Sequence, residues 1–241
     1  KVNLLTNQVV GAEALLRWNH PERGFIAPSD FIPIAEESGQ ITDITKWIIE
    51  TACQDCAQWH LLGYHHLNIA VNLSAIDFRR GNLPQIVMRA LKNSRLSANA
   101  LELEITESII FDDLARIQAQ MRQLKHKGVS FAIDDFGTGY SNLGYLNKFN
   151  VSTLKVDRSF VSALLANEHD QHIVNAIITM SASLGIDNVA EGIEDSQTAD
   201  WLQTKGCQIG QGYFWSKPLS AEAFVQFLSN AKSDFGRQAK K

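Results

Sequence analysis

The 241-residue chain has only three cysteines and five prolines, no excess of basic residues, and no apolar run approaching the roughly 18 residues of a membrane span. Each shortage excludes something. Three cysteines cannot complete a disulfide framework, and a chain of this length does not need one. Cys53 and Cys56 form a C-x-x-C pair, but Cys207 is distant and no further Cys or His pair stands at zinc-ligand spacing, so they read as ordinary helix cysteines. With 22 basic against 26 acidic residues, net charge −4, the surface is unsuited to sequence-independent binding of DNA or RNA. A small anionic ligand stays open, because one metal-filled pocket can hold it. The absence of a secretory signal and of a membrane segment makes this stretch read as soluble and cytosolic. No Pro/Ser linker, low-complexity run or repeat divides it, so residues 1–231 read as one domain and 232–241 as a polar, disordered tail.

What is present is alternation. Short runs rich in β-branched residues lie at Gln8–Leu16, Leu67–Leu73, Ala100–Thr106, Val129–Asp134, Thr153–Val156, Asn188–Ala190 and Gln208–Ile209. Between and after them fall segments of helical period: Ser29–Glu37, Thr42–Leu62, Leu83–Asn93, Asp113–Lys127, Asn142–Asn147, Asp170–Leu184, Ser196–Lys205 and Ala221–Leu228. Strand–helix alternation predicts parallel strands joined by crossovers, and the length suits a single (β/α)8 barrel. Seven strands are one short of closure. Either the sheet is open or its first strand lies before residue 1.

Several strands carry charge where burial is expected. Alternation puts Glu13, Leu15 and Arg17 on one face of the first, and Asn72 beside Ala70 and Ser74 on the next. It puts Glu102, Glu104 and Thr106 opposite Leu101, Leu103 and Ile105. Asp134 and Asp135 end the fourth strand, Lys155 sits inside "TLKVD", and Glu191 follows "DNVA". One such glutamate is usually solvent-exposed, but helices cover the outside of a parallel sheet, so repetition argues for convergence at the carboxyl ends of the strands. Several carboxylates and an amide converging there need raised pKa values or divalent cations. An all-oxygen set suits Mg²⁺ or Mn²⁺, and two such ions are the usual apparatus for cleaving phosphate esters. Lys155 is open to two readings: a partly neutral lysine that deprotonates or orients water, or a lysine paired with Asp157 and chemically silent.

The motifs then accumulate: "EALLRW" (Glu13–Trp18), "VNLS" (Val71–Ser74), "ELEITES" (Glu102–Ser108), "IDDFGTGYSNL" (Ile133–Leu143) and "LKVDRSFV" (Leu154–Val161). "AEGIE" (Ala190–Glu194), "GQGYFWSKPL" (Gly210–Leu219) and "APSDFIPIAEESG" (Ala27–Gly39) complete the set. In this order they resemble the EAL domain, the phosphodiesterase family that linearises bacterial cyclic di-GMP. The resemblance covers about residues 8–228 and implies a TIM-like barrel with one strand reversed. It also implies two ions, Mg²⁺ or Mn²⁺: one held by Glu13, Asn72, Glu104 and Asp134, the other by Asp134, Asp135 and Glu191. It assigns nucleophilic water to Lys155 and Gln211, a loop-holding role to Glu107, a supporting acid to Glu194, and substrate contacts to Arg17, Leu15, Asp135 and Tyr213. It further implies a homodimer formed near the glycine loop, and upstream sensory or GGDEF-type modules. Members of the family begin with a Tyr-Gln-Pro-like motif that this chain lacks, and "SNLGYLNKF" replaces the commoner "SSLSYL".

Two function classes follow. One is a metal-dependent hydrolase converting cyclic di-GMP to linear pGpG; the alternative is a catalytically inactive receptor or interaction module, which typically lacks part of the metal set. A kinase reading of "DFG" (Asp135–Gly137) fails for want of the lysine strand, the "HRD" loop and the six-residue glycine loop. Among the remaining residues, His65 and His66 read as exposed, and His169 and His172 as solvated at a helix start. Trp47, Trp59 and Trp201 read as packing against the sheet, and Tyr213 and Phe214 as lining either a guanine pocket or the core.

Overall fold

The β-branched runs pair into one sheet because their outward residues need a common cover. The computed structural model describes residues 1–80, 82–107, 109, 114–138 and 149–238, with side chains to 230. The candidate helix Asn142–Asn147 lies outside the described residues. In chain order come β1 (Val2–Asn3), β2 (Gly11–Ala14), a hairpin of β3 (Trp18–His20) and β4 (Gly24–Ile26), α1 (Pro28–Glu37), α2 (Ile41–Leu61) and β5 (Asn68–Asn72). Then follow α3 (Ala75–Arg79), α4 (Leu83–Ser94), β6 (Leu101–Thr106), α5 (Leu114–Lys125), β7 (Ser130–Phe136), β8 (Thr153–Val156) and α6 (Arg158–Val161). The chain ends with α7 (Glu168–Leu184), β9 (Asp187–Ala190), α8 (Ser196–Thr204), β10 (Ile209–Gly210) and α9 (Ala221–Gln238). Helix α9 thus runs beyond Leu228 into the polar segment.

Eight strands form a single sheet in the order β1-β10-β9-β8-β7-β6-β5-β2. Every ladder is parallel except β1 with β10. Val2 also bridges Val9 just before β2, and the Val10 amide donates to the Lys1 carbonyl at 2.9 Å, so the ring nearly closes. The expected gap is therefore filled from within the chain, a correction to the strand count. A two-residue strand is too short for period 2 to register. It forms because Asn3 Oδ1 accepts from the Leu5 and Thr6 amides and folds residues 3–8 into a turn.

The outward residues of the central strands, among them Ile69, Val71, Leu101, Leu103, Ile105 and Ile133, are buried under the helices. The thiols of Cys53, Cys56 and Cys207 lie in this layer, and burial pushes all three up to about 12, which makes them inert packing groups. Trp59 is buried as expected, but Trp47 is 59% exposed, because its position on α2 turns away from the sheet. His65, His66, His169 and His172 are exposed.

A buried polar cluster braces the turn after β5. Ser74 caps α3, its amide donates to Asp77 Oδ2 at 2.9 Å, and Thr45 Oγ1 on α2 donates to the same oxygen at 3.0 Å. Ser74 Oγ donates to Glu36 Oε1 of α1 at 2.6 Å. Burial pushes the Asp77 carboxyl up to about 6 despite its two donors. A carboxyl whose pKa is higher folded than unfolded favours the native state when protonated, so this contribution is lost as pH rises from about 4 through about 6. Urea unfolding across pH 4–7 is expected to show the wild type losing about 1–3 kcal/mol more than Asp77→Asn. Parallel pH profiles would contradict the assignment.

Candidate active site

Parallel strands deliver their inward side chains to the carboxyl end of the barrel, and small residues make room there. Ala70 stands opposite both Glu13 and Glu102 across its two ladders, and Ala132 opposite both Glu104 and Thr153. The acidic side chains fill the cross-section that the alanines leave.

The adjacent aspartates need a further device, since successive residues of a regular strand point to opposite faces. Between Ile133 and Phe136 the register of β7 against β8 shifts, and Asp135 takes a left-handed backbone with φ of 53°. A bulge of this kind re-aims a side chain at the end of a strand. Here it brings both carboxylates to the mouth, with the Asp135 amide donating to Asp134 Oδ1 at 3.0 Å. Gln211 is positioned by a different constraint. A Cβ on the next residue, Gly212, would lie 2.0 Å from the Ile193 carbonyl oxygen, so only glycine lets the chain leave β10 along this path.

Lys155 stands at the centre and is fully buried. Its ammonium lies 2.5 Å from Glu104, 2.7 Å from Glu191, 3.0 Å from Asp134 and 3.5 Å from Glu13. Burial alone would lower its pKa, but these four carboxylates outweigh burial and hold the proton firmly. The silent reading of Lys155 paired with Asp157 does not describe this geometry. Asp157 instead caps α6 through the Ser159 amide and faces Asp135.

One ammonium cannot satisfy four carboxylates. Burial, reinforced by neighbouring acids, pushes Asp134 and Glu191 up, whereas Glu104 is held low against its burial by Lys1 and Lys155. Asn72 Nδ2 donates to Glu13 Oε1 at 2.7 Å and Gln211 Nε2 to Glu13 Oε2 at 2.6 Å. Oxygen atoms of Glu13, Glu104 and Asp134 lie within 4.8 Å of one another, as do those of Asp134, Asp135 and Glu191. Asp134 belongs to both groups. All-oxygen donors with an uncompensated negative charge fit divalent cations.

The site opens into a cavity of about 630 Å³, whose lining includes Glu13, Leu15, Arg17, Trp47, Glu191, Glu194, Gln211 and Tyr213. Tyr213 and Phe214 are 54% and 42% exposed, which removes the core reading for both. Glu194 pairs with Arg158 at 3.4 Å at the surface, away from Lys155. Glu107, just past the end of β6, is buried with neither carboxylate oxygen partnered among the described residues. Most of the glycine loop, Gly139 to Leu143 included, lies outside the described residues. The sequence reading missed Lys1, whose ammonium reaches Glu102 and Glu104, and Thr153, which donates to Glu102. The period-2 placement of Glu102 beside Glu104 was the available signal for such a layer.

The model of the EAL domain matches residues 1–218. This chain belongs to the EAL domain family. It is 39% identical over 231 residues to cyclic di-GMP phosphodiesterase NbdA of Pseudomonas aeruginosa, covering 96% of this chain and 30% of that protein. It is 40% identical over 225 residues to the bifunctional diguanylate cyclase/cyclic di-GMP phosphodiesterase MucR of the same organism, covering 93% and 33%. The chain thus spans about a third of the length of these relatives. Among solved structures, the PaMucR phosphodiesterase–c-di-GMP complex superposes with a TM-score of 0.89 at 39% identity, over 92% of this chain and 90% of that one. The EAL enzyme Bd1971 in its cAMP- and cyclic-di-GMP-bound form gives 0.89 at 34% identity, over 94% and 62%.

Among the described residues no helix is long and apolar enough to cross a membrane. In this EAL domain, removing the central ammonium leaves four carboxylates facing one another. Lys155→Met is expected to lower stability in chelator by roughly 3–5 kcal/mol. Excess Mn²⁺ should restore part of that loss. Thermal melts with EDTA and with Mn²⁺ check this, and an unchanged melting temperature in EDTA would contradict the central role of the lysine.

Proposed function

We propose that this EAL domain is a divalent-metal-dependent phosphodiesterase that opens one phosphodiester of cyclic di-GMP to give linear pGpG. The carrying observation is the pair of carboxylate groups sharing Asp134, of which Glu13 and Glu191 line the same cavity as Arg17. Glu13, Asn72, Glu104 and Asp134 would hold one ion, and Asp134, Asp135 and Glu191 the other. Two Mg²⁺ or Mn²⁺ ions, when bound, supply the positive charge that an anionic substrate and a water nucleophile require at neutral pH.

The chain's own groups do the rest. Arg17 at the rim offers a guanidinium to the substrate phosphate, with Leu15, Asp135 and Tyr213 as further contacts. Gln211 has its Nε2 committed to Glu13, and its Oε1 has no partner among the described residues, leaving an acceptor for a water proton. Lys155, whose ammonium lies among these carboxylates, is placed to orient that water. Attack forms one P–O bond and breaks the bond from phosphorus to the 3′ oxygen. The water proton leaves, the 3′ oxygen takes one up, and a 5′-phosphate and a 3′-hydroxyl result. Glu107 would take the loop-holding role, and Glu194 a supporting one through its pairing with Arg158.

A receptor that binds without cutting is the second reading. The presence of the complete acidic set, with Lys155 and Gln211 converging on it, favours the enzyme. The same proposal carries a cytoplasmic location, a homodimer formed near the glycine loop, and upstream sensory or GGDEF-type modules in the parent protein.

Incubation of cyclic di-GMP with the domain and Mn²⁺ is expected to release pGpG, and Asp134→Asn is expected to reduce the rate by at least about a thousandfold, the scale at which catalytic electrostatics are lost. Glu107→Ala should lower turnover by about ten- to a hundredfold. Nucleotide binding without any pGpG would select the receptor instead.

A further inference from the structure

Beneath the carboxylates lies a second buried polar layer that the proposed mechanism does not use. Glu102 precedes Glu104 by two residues on β6 and so points to the same interior, where it is 6% exposed. Its Oε2 accepts from Thr153 Oγ1 of β8 at 2.7 Å, across the space left by Ala132 of the intervening strand. Its Oε1 accepts from the Lys1 ammonium at 2.5 Å. The Lys1 side chain is 3% exposed, and its backbone carbonyl accepts from the Val10 amide just before β2.

The same ammonium reaches upward. Lys1 Nζ donates to Glu104 Oε1 at 2.8 Å, while Lys155 Nζ donates to Glu104 Oε2 at 2.5 Å. The two oxygens of Glu104 thus face different cations: Oε2 faces the ring of acids around Lys155, and Oε1 faces the floor. A divalent cation in the mouth can displace Lys155 from Oε2 without disturbing the lower layer. To take both oxygens it would have to break the Lys1 bond and leave Glu102, a buried carboxylate, with only a hydroxyl for a partner, which is costly.

We propose that Lys1, anchored by Glu102 and Thr153, is a positioning residue that withholds Glu104 Oε1 and restricts Glu104 to one-oxygen coordination. The inference rests on the metal-dependent reading of the site. A carboxylate can bind a divalent ion through one oxygen or two, and Mg²⁺ and Mn²⁺ hold a small, nearly octahedral shell. Each carboxylate oxygen withheld leaves one coordination position for water or substrate.

The test counts water on bound Mn²⁺ by ¹⁷O electron–nuclear double resonance, alongside Mn²⁺ affinity and turnover. Lys1→Met is expected to lose about one coordinated water, as Glu104 closes onto the ion with both oxygens. Turnover at saturating Mn²⁺ should fall about tenfold, the usual scale for outer-shell partners of a metal site. Glu102→Gln, which keeps Lys1 on Glu104, should retain the wild-type water count even where it lowers the melting temperature, and Lys1→Arg should restore the count. If Lys1→Met does not fold, the double variant Lys1→Met/Glu102→Gln removes the lysine together with the charge it neutralises, and its count decides. A wild-type count in a Lys1-lacking variant that binds Mn²⁺ overturns the inference and leaves the proposed function standing. A wild-type protein that binds no Mn²⁺ overturns both.

Discussion

An excess of carboxylate over ammonium inside a nearly closed ring of strands is the constraint on which the rest of this structure depends. Lys155 is shared among four acids, and burial makes their mutual repulsion expensive. Such an interior is stable only with added positive charge or with carboxyls kept protonated. The upward pressure on Asp134 and Glu191 expresses that deficit in the metal-free protein. The same deficit suits the site to divalent cations, so the feature that weakens the fold is the one proposed to bind.

Everything around the acids serves to aim them. Parallel ladders set the heights of the side chains, alanines at positions 70 and 132 open the cross-section, and the bulge in β7 turns two successive aspartates the same way. Gly212 lets the chain pass the Ile193 carbonyl and present Gln211. Away from the mouth, Glu36, Ser74, Thr45 and Asp77 tie α1, α2 and α3 to the end of β5, which carries Asn72. The "AEES" segment thereby gains a physical reason, since Glu36 is the acceptor for Ser74.

Much of this was legible in the sequence because it obeys a period. Alternation along "ALELEITES" and "NIAVNLS" separated helix-facing from interior residues, and the structure buries Leu101, Leu103, Ile69 and Val71 under helices accordingly. Features without a period were not legible. Val2–Asn3 is too short to show one, and its pairing depends on a turn built by a single asparagine side chain. The bulge at Asp134–Asp135 is a backbone choice, and the motif marked the aspartates without explaining how both reach the mouth. Lys1 stood outside every recognised segment, and only the closure of the ring brings it under Glu104. Trp47 was misplaced because a tryptophan in a helix is usually covered, whereas here it borders the cavity.

The central claim is that two ions share Asp134, and calorimetric titration of Mn²⁺ into the metal-free domain tests it most directly. The account predicts two bound ions per chain in the wild type, and in Asp134→Asn a loss of affinity at both sites together. A stoichiometry of one, or an Asp134→Asn variant that keeps one site at full strength, would contradict it.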